Sequence, residues 1–313
     1  MNFTPSLKTI SQNPQLLTGG HRMCPGCGIG VIVRQILNAT TDPVVVANAT
    51  GCLEICTSAY PQTAWKTPWI HSLFENTAAV ASGIDAARQA FTRKNRLTDF
   101  QKKMKIVAFA GDGGTYDIGL QALSGAVERG HNFMFVCLDN EGYMNTGYQR
   151  SSASPLGAAT STSPVGSKIS GKQTKRKNIT EILAAHQIPY VAQASPHNYI
   201  DLMTKAHKAF ETEGPAFLNV FSPCPTNWKS DPAAGLTIAQ SAVETNFWPL
   251  FEVENGTYRI NFHPKKQEPI EKFLRGQKRF RHLLEPKNKI LKNQLQITVN
   301  EHWKKLLQLA EIR

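Results

Sequence analysis

Two kinds of metal-binding chemistry can be built from the residues of this chain, one on oxygen and one on sulfur. The oxygen set lies in two polar loops: Gly111-Asp112-Gly113-Gly114 follows the apolar run 106–110, and Asp139-Asn140-Glu141-Gly142 follows the apolar run 133–138. Glycines let backbone N–H groups approach an anion without a Cβ clash. The helix expected from about Tyr116 points its positive end at the same place. A lone carboxylate beside a phosphate would repel it unless a cation stood between them, and Mg²⁺ is commonly held by one or two protein oxygens plus phosphates. Asp112 and Asn140, 28 residues on, therefore read as holding a divalent metal that holds a diphosphate, with the Gly142 carbonyl as a further oxygen. The plainer reading makes Gly-Asp-Gly a turn; a polar Asn loop after the very next strand weakens it.

The sulfur set is Cys24-x-x-Cys27 in a glycine loop, Cys52 at the end of a short strand, and Cys224 between two prolines at the end of another. Together these supply four thiolates, the number that a 4Fe–4S cluster or a zinc site requires. A redox dithiol is the alternative for Cys24 and Cys27 alone. Cys56, four residues after Cys52 on a probable helical segment, ranks behind Cys224 as the fourth ligand, and Cys137 lies in an apolar strand and reads as a core thiol.

The elements that must position these groups alternate. Strands are expected at 44–47, 106–110, 133–138, 190–192 and 216–221. Helices are expected at 31–38, from Cys52 to before Pro61, at 74–90, 179–186 and 197–210. Such alternation argues an α/β fold with a mainly parallel sheet covered by helices on both faces. In such sheets ligands bind at strand C-terminal ends, where the two oxygen loops, Cys52 and Cys224 fall. Residues 151–177 are rich in Ser, Thr, Gly and Lys without apolar periodicity, a long loop that is either functional or solvated. From about Asp231 the rhythm fades into a tail with helical pieces, such as 299–312. The division expected is a domain over 1–230 and a C-terminal extension over 231–313 that packs on the domain or on a partner.

The 313 residues, 41% of them apolar, suffice for a sizeable core, and no run of 18 apolar residues suggests a membrane span. The first residues lack a basic segment followed by an apolar one, so no secretory signal and a cytoplasmic location are expected; there, six Cys are ligands or core thiols rather than disulfides. The net charge of +12 is concentrated late: residues 264–313 hold 13 Lys/Arg against 5 Asp/Glu. That tail lacks interleaved exposed aromatics and alternates charge with Leu and Ile as packed helices do. A partner subunit or an acidic protein is therefore expected to meet it, rather than nucleic acid.

The Gly-Asp-Gly…Asn pattern resembles the thiamine diphosphate motif. Together with Cys24-Pro25-Gly26-Cys27-Gly28, Thr50-Gly51-Cys52-Leu53-Glu54, Ser72-Leu73-Phe74-Glu75-Asn76, Tyr143-Met144-Asn145-Thr146-Gly147 and Ser222-Pro223-Cys224-Pro225, it resembles the β subunits of the 2-oxoacid:ferredoxin oxidoreductases, nearest the pyruvate branch. The likeness is strong from about Thr18 to Cys224 and loose in the tail. It implies the thiamine diphosphate-binding fold and an enzyme active only with its partners. Asp112, Asn140 and the Gly142 carbonyl would hold Mg²⁺, and Gly111, Gly113 and Gly114 would line the diphosphate. Thr50 and Cys52 would border the cofactor, and Asn145 would face its reacting carbon. Cys24, Cys27, Cys52 and Cys224 would ligate a 4Fe–4S cluster. An α subunit would bring the pyrimidine-activating glutamate, with γ and δ subunits, ferredoxin, coenzyme A and a 2-oxoacid as further partners. The substrate expected is pyruvate; branched-chain 2-oxoacids and oxalate are the alternatives, and a non-redox lyase subunit with a zinc site is a competing reading.

Four smaller expectations accompany these. Glu54 and Glu75 pack and cap near the cofactor loop rather than act as the activating glutamate. His71 is structural. Trp65 and Trp69 lie at a subunit contact. Lys172, Lys175, Arg176 and Lys177 suit the phosphates of coenzyme A, or else belong to a solvated loop.

Overall fold

The computed structural model describes residues 3–311. Eight strands form one sheet: β1 (Val44–Asn48), β2 (Trp69–His71), β3 (Lys105–Gly111), β4 (Met134–Asp139), β5 (Tyr190–Ala194), β6 (Ala216–Phe221), β7 (Phe251–Glu254) and β8 (Thr257–Ile260). Their order is β2-β1-β3-β4-β6-β5-β7-β8. The pairs from β2 through β5 are parallel, and β7 and β8 run antiparallel. Runs such as Val44-Val45-Val46 are buried along their whole length, as parallel strands covered on both sides must be.

Alternate residues of each strand face opposite sides, and two cores result. Val44, Val46, Val107, Phe109, Val136 and Leu218 pack under the helices Gly28–Leu37 and Tyr199–Glu211. Val45, Ile106, Ala108, Phe135 and Phe217 pack under the helices Thr77–Arg93, Leu120–Glu128 and Ile179–Ala185. The expected α/β sheet with helices on both faces is the one observed.

The C-terminal residues differ from their expectation as a tail of helical pieces. They add β7 and β8 to the sheet, and Phe247, Trp248, Phe273 and Phe280 build a third core with Phe221 and Trp228. The sequence carries a signal for the hairpin: Asn255-Gly256, both left-handed with φ of 49° and 78°, is a favoured two-residue hairpin turn. The last helix runs Lys289–Glu311, starting ten residues before the expected 299–312; Ile312 lies outside the described residues. β2, absent from the expected strands, is a three-residue edge strand directly after Pro68. Trp65, expected at a subunit contact, is a core residue 5% exposed whose indole donates to Thr57 Oγ1 at 2.8 Å. Among the described residues no helix is long and apolar enough to cross a membrane.

Candidate functional site

Register brings the candidate residues together. Phe109 of β3 sits opposite Asn48 of β1, Gly111 opposite Leu138 of β4, and Asp139 of β4 opposite Phe221 of β6. Four adjacent strands therefore end on Asn48–Cys52, Asp112, Asn140–Asn145 and the approach to Cys224. Chain direction reverses about β1, with β2 on one side and β3 on the other, the switch point where open α/β sheets place ligands. A cavity of about 90 Å³ lies there. Its walls include Asn48, Thr50, Cys52, Gly111, Asp112, Gly113, Asn140, Gly142 and Asn145.

Asp112 is fully buried, Asn140 is 7% exposed, and both face the cavity. The Asn140 side-chain oxygen stands 2.9 Å from both the Gly142 carbonyl oxygen and Asp112 Oδ1, with only acceptors before it; turned over, the amide nitrogen would donate to both. Amide orientation is decided by the partners present. Neighbouring oxygens about 2.8–3.0 Å apart are what an octahedron with metal–oxygen bonds of roughly 2.0–2.1 Å requires. The three oxygens thus fit a small divalent cation. Asp112 Oδ2 accepts from Ser151 Oγ, and burial, reinforced by the nearby Asp139, pushes the Asp112 carboxyl well above its ordinary range.

The glycines have separate duties. A Cβ on Gly113 would stand 2.3 Å from the Tyr143 ring, so that position must be bare for the ring to close over the loop. A Cβ on Gly114 would meet the Phe74 carbonyl and ring at 3.2 and 3.3 Å, so that position too is packed closely beside the cavity. The expected helix from Tyr116 begins instead as a π-helical turn, Gly113–Asp117, followed by Leu120–Glu128.

Behind the clamp is a buried ionic network that sequence reasoning missed. Glu141 is fully buried with φ of 69°, a left-handed conformation uncommon outside glycine and asparagine. Arg176 Nη1 donates to its Oε1 at 3.0 Å and Arg279 Nη2 to its Oε2 at 2.5 Å. Arg176 also pairs with Asp139, whose Oδ2 accepts from Tyr116. Lys172 is 3% exposed, and its ammonium donates to the Ser154 carbonyl at 2.5 Å. Arg176 and Lys172 are therefore committed inside, and Lys177 reaches the Tyr116 carbonyl, while Lys175 stays exposed beside Glu301. One further polar group was missed: Asn48, 2% exposed and on the cavity wall, has no partner for Nδ2 among the described residues. Its signal was available, a polar side chain on the last residue of a strand beside Thr50 and Cys52.

The thiols gather at the other end of the same rim. Gly28 N donates to the Pro223 carbonyl at 3.0 Å, docking the Cys24–Cys27 loop on the Cys224 loop. Gly26 is left-handed, and a Cβ there would lie 2.2 Å from the Pro232 carbonyl. Burial, with the neighbouring Cys224 next in effect for Cys52, pushes Cys27 and Cys52 up to about 12; Cys224 rises with burial as well. Cys24 and Cys56 lie within electrostatic reach of the same group. Among the described residues no three His, Cys, Asp or Glu side chains stand at the spacing of one metal ion's ligands. A cubane differs, since each of its thiolates binds a different iron. Cys137 is buried in the core as expected. Glu54 accepts from Ser58 Oγ at 3.0 Å, and His71 Nδ1 lies 3.0 Å from the Asn48 carbonyl.

Residues 49–220 match the family model described as thiamine pyrophosphate enzyme, C-terminal TPP binding domain. The chain is 51% identical over 265 residues to pyruvate synthase subunit PorB of Methanocaldococcus jannaschii, covering 84% of this chain and 88% of that one. It is 48% identical over 301 residues to the Thermotoga maritima subunit of the same name, covering 95% and 92%. Ketoisovalerate oxidoreductase subunit VorB of Pyrococcus abyssi is 42% identical over 295 residues, covering 94% and 93%. Among solved structures, 2-oxoglutarate:ferredoxin oxidoreductase from Magnetococcus marinus, with 2-oxoglutarate, coenzyme A and succinyl-CoA bound, aligns with a TM-score of 0.52. It is 24% identical and covers 73% of this chain and 78% of that one, a likeness of fold.

Proposed function

The chain belongs to the β subunits of the 2-oxoacid:ferredoxin oxidoreductases, on the pyruvate synthase branch. From that premise we propose that, with its partner subunits, it oxidatively decarboxylates pyruvate to acetyl-coenzyme A and CO₂, reversibly, and passes the electrons to ferredoxin. The observation that carries this reading is the Asn140 side-chain oxygen standing 2.9 Å from both Asp112 Oδ1 and the Gly142 carbonyl oxygen on the wall of a strand-end cavity.

Asp112, Asn140 and the Gly142 carbonyl would hold Mg²⁺, Gly111 and Gly113 would line the diphosphate, and Cys24, Cys27, Cys52 and Cys224 would hold a 4Fe–4S cluster. Bound thiamine diphosphate supplies a nucleophilic carbon and an electron sink for loss of CO₂, and the cluster accepts electrons singly. The chain's own residues bind and orient. Asp112 offsets cationic charge from a fully buried position. The unpartnered Asn48 Nδ2 donates into the cavity. Asn145, exposed and on the cavity wall, would face the reacting end. Cys52 sits on the cavity wall and within reach of the other thiols, so it joins the two halves. Glu54 is occupied by Ser58, and the pyrimidine-activating glutamate comes from the α subunit. Residues 1–230 carry both sets of loops, 231–313 form the extension, and a cytoplasmic complex with γ and δ subunits is the working assembly.

The relative named for ketoisovalerate supports a second reading, a branched-chain 2-oxoacid substrate. An activity panel of the anaerobically purified complex with pyruvate, branched-chain 2-oxoacids and oxalate decides between them. Pyruvate- and coenzyme A-dependent ferredoxin reduction is expected. Turnover of oxalate without coenzyme A, or preference for branched acids, overturns the substrate. Oxoacid-dependent dye reduction by this polypeptide alone overturns the partner's role, and absence of iron and acid-labile sulfide leaves the zinc-bearing lyase.

A further inference from the structure

The clamp segment Asp139–Gly142 is held by groups from three distant parts of the chain. Trp228 Nε1 donates to the Asn140 carbonyl at 3.1 Å, and Ser154 Oγ donates to the Glu141 carbonyl at 2.6 Å. Arg279 takes one Glu141 oxygen and Arg176 the other. The Arg279 guanidinium also lies over the Trp228 ring, 4.0 Å from its centroid. Arg279 is 3% exposed and is itself braced by Gln277 Oε1 at 2.7 Å. Of the three carbonyls in Asn140-Glu141-Gly142, two are thus tied back and the third stands 2.9 Å from the Asn140 side-chain oxygen. A buried glutamate at φ 69° persists only when its surroundings fix it, at a cost of about 1–3 kcal/mol in conformation.

We propose that Arg279 and Trp228 are positioning residues for the metal clamp: by holding the Glu141 carboxylate and the Asn140 carbonyl, they aim the Asn140 amide oxygen and the Gly142 carbonyl at the cation beside Asp112. Neither touches the cavity. Trp228 closes the short helix Pro225–Trp228, whose N-terminal neighbour is Cys224. The same pair therefore links the sulfur loop to the oxygen clamp through one turn of backbone. Arg279 comes from the extension and so gives that segment a duty at the site.

This inference rests on the metal reading of the clamp. Its test is equilibrium binding of Mg²⁺ and thiamine diphosphate to the assembled complex stripped of both, by calorimetry, for wild type, Trp228→Phe and Arg279→Lys. Trp228→Phe keeps the ring and deletes the N–H; loss of one hydrogen bond weakens Mg²⁺-dependent binding about 5-fold. Arg279→Lys keeps the charge and loses the forked, stacked geometry, with a loss of about 10-fold. Both variants raise the KM for Mg²⁺ more than they lower kcat at saturating metal, and thiamine diphosphate binding measured without Mg²⁺ is unmoved. If wild type binds with Mg²⁺ dependence and both variants match it, or if they lose only thermal stability, the positioning role is overturned. If wild type shows no Mg²⁺ dependence, the metal reading itself fails.

Discussion

At Asp112, Asn140 and Gly142 the supporting structure is complete. Two buried carboxylates, Asp139 and Glu141, pair with the half-buried Arg176 and the buried Arg279, and the buried Asp112 beside them is in no ion pair among the described residues. At Cys24, Cys27, Cys52 and Cys224 the support is backbone: a glycine against Pro232, an N–H on Pro223, two prolines around Cys224. No lysine or arginine hydrogen-bonds these sulfurs among the described residues, and burial holds Cys27 and Cys52 near 12, as neutral thiols at physiological pH. The oxygen half is preformed, whereas the sulfur half would have to exchange protons for metal under the proposed function. The two halves share a rim and differ in what would damage them.

The largest separation is expected from Asp112→Ala. Removing the anionic ligand should lower Mg²⁺-dependent thiamine diphosphate affinity by about 100-fold or more, read by calorimetry on the complex, while iron per complex stays at the wild-type value. Iron loss in that variant would mean that the halves are not independent. Gly26→Ala should do the reverse. A left-handed residue with a Cβ at 2.2 Å from a carbonyl must displace the Cys24–Cys27 loop, at about 2–3 kcal/mol. Iron and acid-labile sulfide should fall by at least half, with thiamine diphosphate affinity changed by less than about 3-fold, or ~0.6 kcal/mol.

The smallest effect marks the boundary of both. Glu181, on the helix Ile179–Ala185, is held by His302 and Lys305 of the last helix, and these bonds pull its carboxyl down to about 2. A carboxyl lowered on folding contributes stability that is full above its ordinary value near 4.5 and is lost as pH falls toward 2. Glu181→Gln should therefore cost about 1 kcal/mol at pH 7 and progressively less toward pH 2, measured by denaturant unfolding, with iron content and cofactor affinity unmoved.

The legible parts were local. Apolar runs ending on Gly-Asp-Gly and Asp-Asn-Glu-Gly announced strands with ligand loops, and the adjacent strands β3 and β4 bring Asp112 and Asn140 together. The run Lys172–Lys177 shows the limit of charge reading. A basic loop looks solvated in sequence, yet Arg176 is spent on acids 35 and 37 residues earlier.

The sequence by itself determined that Asp112, Asn140, Cys52 and Cys224 would stand at strand ends of an α/β sheet, because strand and polar loop are encoded within a few residues of one another. Only the tertiary structure decided that Glu141 is locked by an arginine 138 residues away, that Asn48 on the cavity wall keeps an unpaired amide, and that the C-terminal residues complete the sheet. Where a charged side chain points is set by the partner that offsets its desolvation, and that partner is chosen by the fold rather than by sequence neighbours.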